Sequence, residues 1–309
     1  MSIQKELNKS KVHFNLQLLA SQIVEGMIAG IHKSPFHGFS SEFAEHKVYN
    51  KGESTKHIDW KLFAKTDKMF TKRYEEETNL RCHLILDNSA SMHYPKVNNF
   101  SIDNLNKIGF SVLASAVLMQ LLKKQRDAVG LSVYGSDYDF YAPEKGSERH
   151  FNLILSQLEH ALYSSPKAAD TNTVKYLHQI AEKLHKRSLV FFFTDMFQYS
   201  TQTEELFEAL RHLKYNKHEV VLFHTLDVNT EVEFDFDNTP KAFVDVETNE
   251  KVELYAQNIK SAYTKEVKRY IADIKLECAK YNIKYVPVPV SENFEKIVNS
   301  YLVEKQRFG

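Results

Sequence analysis

The chain has 309 residues, enough to bury a full core and to form two domains or one large domain with an appendage. Its 40 Lys and Arg residues balance its 40 Asp and Glu residues, so no bulk charge favours nucleic acid or a membrane surface as a partner. The two cysteines, Cys82 and Cys278, lack the spacing of a zinc site or a disulfide framework, which is typical of a reducing compartment.

The first part of the chain predicts a helix and then a small β-rich unit. Apolar residues recur at helical spacing before the expected stop at Gly30: Phe14, Leu18, Leu19, Ile23 and Met27. The segments EFAEHKVYNKGES and MFTKRYEEETN alternate in polarity on either side of a turn at HIDWKLF, which is typical of a partly exposed antiparallel pair. We therefore assign residues 1–77 to an N-terminal helix and a small β-rich subdomain.

From residue 78 onward, short apolar runs alternate with helical segments. Strands are predicted at 80–86, 128–135, 188–193, 219–226 and 283–290. Helices are predicted at 104–124, 148–162, 172–186, 202–215, 256–281 and 291–304. This alternation predicts an α/β domain over 78–309 with a doubly wound, mostly parallel sheet and a β insertion around 228–255.

No segment has the character of a membrane span or a secretory signal. The N-terminus, MSIQKELNKSKVHF, is polar and has no apolar stretch of the kind found in signal peptides. The most apolar segment, FSVLASAVLMQLL at 110–122, is shorter than the ~20 residues that a spanning helix needs. We therefore expect a cytoplasmic protein without a membrane span.

Oxygen-bearing side chains follow the predicted strands at three places. Ligands of doubly wound folds gather outside the carboxyl ends of the strands, where DNSAS (87–91), ADTNT (169–173) and TD (194–195) are expected. Carboxylates and hydroxyls are hard ligands, and Mg²⁺ usually takes one or two carboxylates and keeps waters in its other positions. Asp87, Ser89 and Ser91 stand at alternate positions, so one tight loop can turn three oxygens toward an ion.

Each of these residues also has a purely structural interpretation. Asp and Ser are favoured at helix N-caps and in tight turns, so the loop at Asp87 and the one at Asp195 could simply cap the helices that follow. The HIDW segment invites an acid–base interpretation, but an Asp beside the single Trp more often caps a turn, and we favour structure there. His83 is expected to be a packed core residue.

The sequence resembles two known groups of proteins. The DxSxS pattern of DNSASM, with a Thr in a later loop and an Asp after a following strand, is similar to the metal-ion-dependent adhesion site of von Willebrand factor A domains. Residues 30–92, which include EFAEHKVYNKGESTKHIDW, resemble the bacterial family called domain of unknown function 58, and the closing YVPVPVSENFEKIVNSYL is similar to that family's end. The resemblance implies a von Willebrand factor A-like domain.

The resemblance also implies a set of metal ligands. Ser89 and Ser91 would bind the ion through their hydroxyls, and Asp87 and Asp195 would bind it directly or through water. The threonine ligand would be Thr171, with Thr173 as the alternative, although Ala169 and Asp170 stand where relatives often have two glycines. Mg²⁺ is the expected ion, and Mn²⁺ or Ca²⁺ would suit the same oxygens.

Such a site implies a non-enzymatic function. One coordination position would remain for an acidic side chain of a partner protein, and relatives are associated with MoxR-type AAA+ ATPases in the maturation or assembly of other proteins. The chain has no GxxxxGK[ST] or GxGxxG motif for nucleotides and no GxSxG motif of a serine hydrolase. The rival interpretation is a metal-assisted, phosphatase-like hydrolase that uses Asp87.

Overall fold

The computed structural model describes ten stretches of the chain: 15–30, 43–48, 58–66, 68–74, 80–135, 140–164, 173–196, 203–215, 217–244 and 251–298. Its helices are α1 (Leu16–Gly30), α2 (Trp60–Thr66), α3 (Lys107–Lys124), α4 (Glu148–Tyr163), α5 (Thr173–Lys183), α6 (Thr203–Tyr215) and α7 (Ala256–Lys280). Its strands are β1 (Phe43–Val48), β2 (Phe70–Tyr74), β3 (Arg81–Asp87), β4 (Ala128–Tyr134), β5 (Phe140–Lys145), β6 (Leu189–Thr194), β7 (Glu219–Leu226), β8 (Pro240–Val244), β9 (Lys251–Tyr255) and β10 (Lys284–Pro289).

A six-stranded sheet forms the centre of the fold, in the order β10-β7-β6-β3-β4-β5. Neighbouring strands are parallel except for β5, which pairs antiparallel with β4 at one edge. Numbered along the chain, these strands lie in the order 3-2-1-4-5-6 of doubly wound folds, and the order reverses between β3 and β6. The predicted fold class is confirmed.

Helices cover both faces of this sheet. Because successive side chains of a strand point to opposite faces, Leu84 and Leu86 of β3 join the core formed with α1, α3 and α4. Ile85 joins the core on the other face, with α5, α6 and α7. Helix α3 is buried along almost its whole length, as its apolar sequence predicts. Both faces of the sheet are therefore covered by apolar side chains, and the polar loops at the strand ends are the place where a site can form.

The described helices begin and end within a few residues of the predicted bounds, except for 291–304, of which the structure describes a short helical segment at 294–298. The edge strand β5 was not predicted, because FYAPEK carries a proline and two charges and has no buried run. The β insertion is an antiparallel pair of β8 and β9. The segment VEFDF (232–236) is not a strand: Val232 ends the π-helical turn Val228–Val232, and the next four residues have no regular secondary structure.

The N-terminal unit has the predicted antiparallel pair, β1 with β2. Asp59 caps α2, since its Oδ1 accepts hydrogen bonds from the backbone N–H groups of Lys61 and Leu62 at 3.0 and 3.1 Å. The structural interpretation of Asp59 is confirmed, and Trp60 is 60% exposed. His57 lies outside the described residues. No helix in the described stretches is both long and apolar enough to cross a bilayer.

Candidate metal-binding site

Asp87 is the last residue of β3 and forms the centre of the candidate site. The strand is buried from Cys82 onward, and Asp87 itself is 1% exposed. Its Oδ1 accepts a hydrogen bond from the backbone N–H of Ser89 at 3.0 Å, and its Oδ2 accepts one from Oγ1 of Thr194 at 2.8 Å. The carboxylate is therefore fixed between its own loop and the end of the neighbouring strand.

Asp195 reaches the same edge because β6 pairs in parallel with β3. Thr194 ends β6, and its hydroxyl, which donates to Asp87, also accepts the backbone N–H of Met196 at 3.2 Å. Burial and the negative charge of Asp195 together raise the pKa of Asp87 to about 7. The structure thus brings together the two carboxylates that the sequence placed in separate loops.

Ser89 and Ser91 lie in the loop that follows Asp87. Both side chains are buried, and their Oγ atoms share a hydrogen bond of 3.1 Å. The loop is held by a backbone hydrogen bond from the N–H of Asn88 to the carbonyl of Tyr134, which is the last residue of β4. Ser89 precedes a short 3₁₀ turn, Ala90–His93, and Ser91 lies within it. The loop therefore keeps Ser89 beside Asp87, and the hydroxyl of Ser91 lies next to that of Ser89.

The threonine of the predicted ligand set is the least determined member. Thr171 lies outside the described residues. Thr173, the alternative, is the first residue of α5 and is fully buried, and its Oγ1 has no hydrogen-bond partner among the residues that the structure describes. Tyr176 of the same helix stacks on Tyr134 with ring centroids 5.6 Å apart, so the start of α5 lies at this edge of the sheet. The orphaned hydroxyl of Thr173 suits a ligand or a group that contacts one.

Two charged residues that sequence reasoning missed complete the cluster. Lys107, the first residue of α3, donates from Nζ to Oδ2 of Asp195 at 2.7 Å and to Oε1 of Glu231 at 2.5 Å. The ammonium is completely buried. Glu231 lies in the turn that follows β7, and its Oε2 accepts the backbone N–H of Asp227 at 2.8 Å. Three loops and one helix start therefore meet in one buried ionic network.

The protonation states of this pair follow from burial and charge. Burial alone would lower the pKa of Lys107, but the charges of Asp195 and Glu231 and their hydrogen bonds raise it above its ordinary value. Burial raises the pKa of Glu231, and the charge of Lys107 opposes that effect. Lys107 is thus a permanent cation inside the cluster.

The sequence contained a signal for these two residues. A cation at the start of a helix is unfavourable toward the helix dipole, yet Lys107 opens a long apolar helix. Such a conflict indicates a buried anion that compensates it, here Asp195. Glu231 follows the carboxyl end of β7, the same edge of the sheet at which the other acidic residues were sought.

The backbone at Asp195 is held as firmly as its side chain. Nε2 of His224 donates to the carbonyl of Asp195 at 2.8 Å. Burial lowers the pKa of His224 to about 4, so the ring is neutral and its Nδ1 accepts a hydrogen bond from the hydroxyl of Tyr285. Met196 has a φ of 60°, and its carbonyl accepts a hydrogen bond from Tyr270 at 2.6 Å. This rare backbone conformation turns the chain sharply after Asp195.

The donor set fits a hard divalent cation. It offers carboxylate oxygens of Asp87 and Asp195 and hydroxyl oxygens of Ser89 and Ser91, all of the type that Mg²⁺ prefers. If Asp87, Asp195 and Glu231 are counted as carboxylates and Lys107 as an ammonium, the cluster has a formal charge of −2, which one dication would neutralise. Within the described stretches, no group of three or more His, Cys, Asp and Glu side chains gathers as a metal site, so hydroxyls would have to contribute.

Comparison with known proteins gave one family and several similar proteins. The family model described as "Protein of unknown function DUF58" matches residues 45–272. Uncharacterized protein Mb1516 of Mycobacterium bovis and uncharacterized protein Rv1480 of Mycobacterium tuberculosis are each 28% identical over 140 residues. These residues make up 45% of this chain and 42% of each relative, so the chain matches less than half of either protein's length.

Two solved structures are similar to this chain at low identity. An aerotolerance-related membrane protein from Bacteroides fragilis, with multiple mutations to serines, has a TM-score of 0.40 and 14% identity over 73% of this chain and 99% of its own. The VWA domain of SpRpn10 has a TM-score of 0.37 and 12% identity over 72% of this chain and 95% of its own.

Proposed function

Since the chain belongs to the family described as protein of unknown function DUF58, we propose that it is a non-enzymatic adaptor with a von Willebrand factor A-like domain, which binds protein partners through a divalent metal ion. One observation carries this proposal: Asp87, Ser89, Ser91 and Asp195 converge at the switch point of the sheet as buried oxygen donors. When bound, the ion would supply a Lewis-acidic position for a carboxylate of a partner.

The chain's own residues would prepare that position. The hydrogen bonds from Ser89 and Thr194 fix both oxygens of Asp87, and Lys107 fixes Oδ2 of Asp195. Ligands that are already positioned lose little conformational entropy on binding. Mg²⁺ is the expected ion because two carboxylates and several neutral oxygens match its usual protein environment. Mn²⁺ would suit the same donors and serves as a convenient probe.

The proposed partner is a protein with an exposed acidic side chain, and we infer a MoxR-type AAA+ ATPase. The resemblance to relatives associated with such ATPases supports this choice. The chain itself has no nucleotide-binding motif, so energy from ATP would have to come from the partner. The ATPase would act in the maturation or assembly of other proteins, and this chain would hold the two together.

Calorimetry with MgCl₂ tests the metal site, and a binding assay with a purified MoxR-type ATPase tests the partner. The wild-type chain is expected to bind Mg²⁺, whereas Asp87→Ala and Ser89→Ala lose that binding. Ser115→Ala is the matched control, because Ser115 is a buried serine on α3 whose hydroxyl has no hydrogen-bond partner in the described part of the chain. Binding to the ATPase should disappear in EDTA. Unchanged Mg²⁺ affinity in Asp87→Ala and Ser89→Ala would refute the site.

The hydrolase alternative gives a different result in a simple assay. A metal-assisted phosphatase would turn over p-nitrophenyl phosphate in Mg²⁺ and would lose that turnover in Asp87→Ala. The adaptor proposal expects no turnover by the wild-type chain. Mg²⁺-dependent hydrolysis that Asp87→Ala abolishes would establish the enzyme and overturn the adaptor.

A further inference from the structure

The candidate site contains a cation of its own, the ammonium of Lys107. Its Nζ lies 2.7 Å from Oδ2 of Asp195 and 2.5 Å from Oε1 of Glu231, and its side chain is 0% exposed. A buried ammonium is stable only when hydrogen-bonded carboxylates compensate its lost hydration. Lys107 and the two carboxylates therefore form one unit, and a change in the charge of any member changes the electrostatic energy of the others.

Lys107 is held in place by residues outside the loop of Asp87. Glu231 accepts the backbone N–H of Asp227 through Oε2, and Asp227 also accepts a hydrogen bond from Oγ1 of Thr230. The turn Val228–Val232 thus holds Glu231 in place, and Glu231 holds Lys107 against Asp195. The ring of Tyr94 lies 5.9 Å from Nζ and covers it further.

We propose that Lys107 and Glu231 set the affinity of the site for a dication and keep the charge of the loaded site near zero, so that a partner carboxylate is not repelled. This inference rests on the proposed function. Lys107 repels a dication and holds one oxygen of Asp195, whereas Glu231 attracts the dication and cancels the charge of Lys107. Lys107 is a positioning residue, since it would act on the ion through Asp195 and through its own charge.

The two residues allow a charge series without any change in the proposed ligands. Lys107→Met leaves three carboxylates, which makes the formal charge of the cluster more negative, −3. Glu231→Gln leaves two carboxylates and one ammonium, which gives −1. The double variant leaves Asp87 and Asp195 alone and restores the −2 of the wild type. Both substitutions keep the approximate length of the side chain, so packing changes little.

Titration of the full chain with Mn²⁺ by calorimetry measures this series. Lys107→Met is expected to bind Mn²⁺ at least about tenfold more tightly than the wild type, because a nearby positive charge has been removed from a buried site. Glu231→Gln is expected to bind it at least about tenfold more weakly. The double variant should return to within about threefold of the wild type, and Lys107→Arg, which keeps the charge, should do the same.

Thermal unfolding in EDTA gives a second readout that needs no metal. Lys107→Met should melt below the wild type, since it leaves buried carboxylates without their cation, and the double variant should recover part of the loss. If Lys107 had a purely structural role, Lys107→Met would melt at a lower temperature than the wild type. It would then bind Mn²⁺ with the same affinity as the wild type or more weakly, and not more tightly. That result would overturn the inference.

The outcomes separate this inference from the proposed function. If the wild type binds Mn²⁺ but no ATPase, the result counts against the adaptor function and not against this inference. The order of Mn²⁺ affinities among the variants then decides the inference. If the wild type binds no Mn²⁺ and only Lys107→Met does, the inference fails together with the metal-dependent function, because Lys107 would then exclude the ion and would not tune its affinity. The inference is refuted if neither the wild type nor Lys107→Met binds Mn²⁺. It is also refuted if Glu231→Gln binds Mn²⁺ as tightly as Lys107→Met or more tightly. If Lys107→Met does not fold, Glu231→Gln and the double variant still test the order.

Discussion

Oγ1 of Thr194 lies 2.8 Å from Oδ2 of Asp87 and donates a hydrogen bond to it. This bond joins the carboxyl ends of β3 and β6, the two strands at which the strand order reverses. Both residues are buried, so water does not compete for the bond. The two loops of the candidate site are therefore connected before any ligand arrives, and this connection can be tested by itself.

Thr194→Val removes the hydroxyl and keeps the shape of the side chain. We expect a loss of about 1–2 kcal/mol in the free energy of unfolding, because a buried carboxylate oxygen loses its donor. We also expect Mg²⁺ affinity to fall about fivefold, since Asp87 then has more freedom to turn. Urea unfolding and calorimetry measure the two effects.

Thr225→Val is the matched control for this substitution. Thr225 lies on the adjacent strand β7 and is fully buried, but within the described stretches its hydroxyl donates only to the sulfur of Met92, at 3.4 Å. We expect a change in unfolding free energy within about 0.5 kcal/mol and unchanged Mg²⁺ affinity. An equal effect of the two variants on Mg²⁺ affinity would mean that the bond to Asp87 has no special role.

The fold could be predicted from the sequence because the strands that matter are buried on both faces. Runs such as SLVFFF and EVVLFHTL are continuous and apolar, and this pattern identifies central parallel strands. β5 was not predicted, because an edge strand needs no continuous apolar run and FYAPEK has an exposed, partly charged face. The pairing of β5 with β4 depends on tertiary contacts that a local pattern does not contain.

The candidate site was predicted only in part, for a similar reason. The sequence placed Asp87, Ser89, Ser91 and Asp195 at one edge of the sheet because a motif and the strand-end rule both point there, and their role as metal ligands stays a prediction. Lys107 could not be found by those rules, since it is the first residue of a helix and does not follow the end of a strand. Its role appears only when the start of α3 is placed against the loop after β6. The choice between Thr171 and Thr173 as a ligand likewise stays a prediction.

Gly135 gives a test of how tightly the loop of Asp87 is packed. A Cβ atom at Gly135 would lie 2.7 Å from the carbonyl oxygen of Asn88, closer than real Cβ contacts, so Gly135→Ala must displace the backbone beside Asp87. We expect a loss of about 1–3 kcal/mol in unfolding free energy and about tenfold weaker Mg²⁺ binding. Chemical denaturation and calorimetry are the measurements.

Gly146→Ala is the control for this loop variant. A Cβ atom there would meet only the carbonyl oxygen of Asp127, at 3.8 Å, which is an ordinary contact. We expect Gly146→Ala to change unfolding free energy by no more than about 0.5 kcal/mol and to leave Mg²⁺ affinity unchanged. Wild-type Mg²⁺ affinity in Gly135→Ala would show that the backbone at Asn88 does not position the ligands.

Binding of Mg²⁺ should depend on pH through Asp87. Burial and the charge of Asp195 raise the pKa of Asp87 to about 7, and a metal ligand must be deprotonated. Below about pH 7, affinity should therefore fall by about tenfold per pH unit, and at about pH 6 each bound ion should release about one proton. Calorimetry in buffers of different ionisation enthalpy measures that proton. Affinity that stays constant between about pH 5.5 and about pH 7.5 would contradict this prediction.

The same shift gives the metal-free protein an opposite pH dependence. Because the folded pKa of Asp87 lies above its unfolded value, its contribution to stability is complete below about pH 4 and is lost as the pH rises through about 7. Thermal unfolding in EDTA should therefore show a decline over this window. Saturating Mg²⁺ should remove the decline, since the ion stabilises the ionised carboxylate.

A second buried polar array lies on β3, β4 and β5, away from the candidate metal ligands. Nε2 of His83 lies 2.7 Å from Oγ of Ser132, and Nδ1 lies 2.7 Å from Oε1 of Glu144. Gly130 makes room for the ring, because a Cβ atom there would lie 2.5 Å from Nδ1 of His83. His83 is completely buried and Ser132 is 3% exposed, so the array is a core feature, as predicted for His83.

Glu144→Gln should reduce stability in a pH-dependent manner. Burial alone would raise the pKa of Glu144, but the hydrogen bond and charge of His83 lower it below its ordinary value. Since the folded pKa is depressed, the contribution of Glu144 is present above its unfolded pKa and is lost as the pH falls through the folded value. We expect Glu144→Gln to cost about 1–3 kcal/mol near neutral pH and progressively less below about pH 4, as measured by urea unfolding. Glu253→Gln is the control, because Glu253 is 72% exposed and should show no such trend. A Glu144→Gln penalty that is the same at acidic and neutral pH would show that the charge of Glu144 does not stabilise the fold.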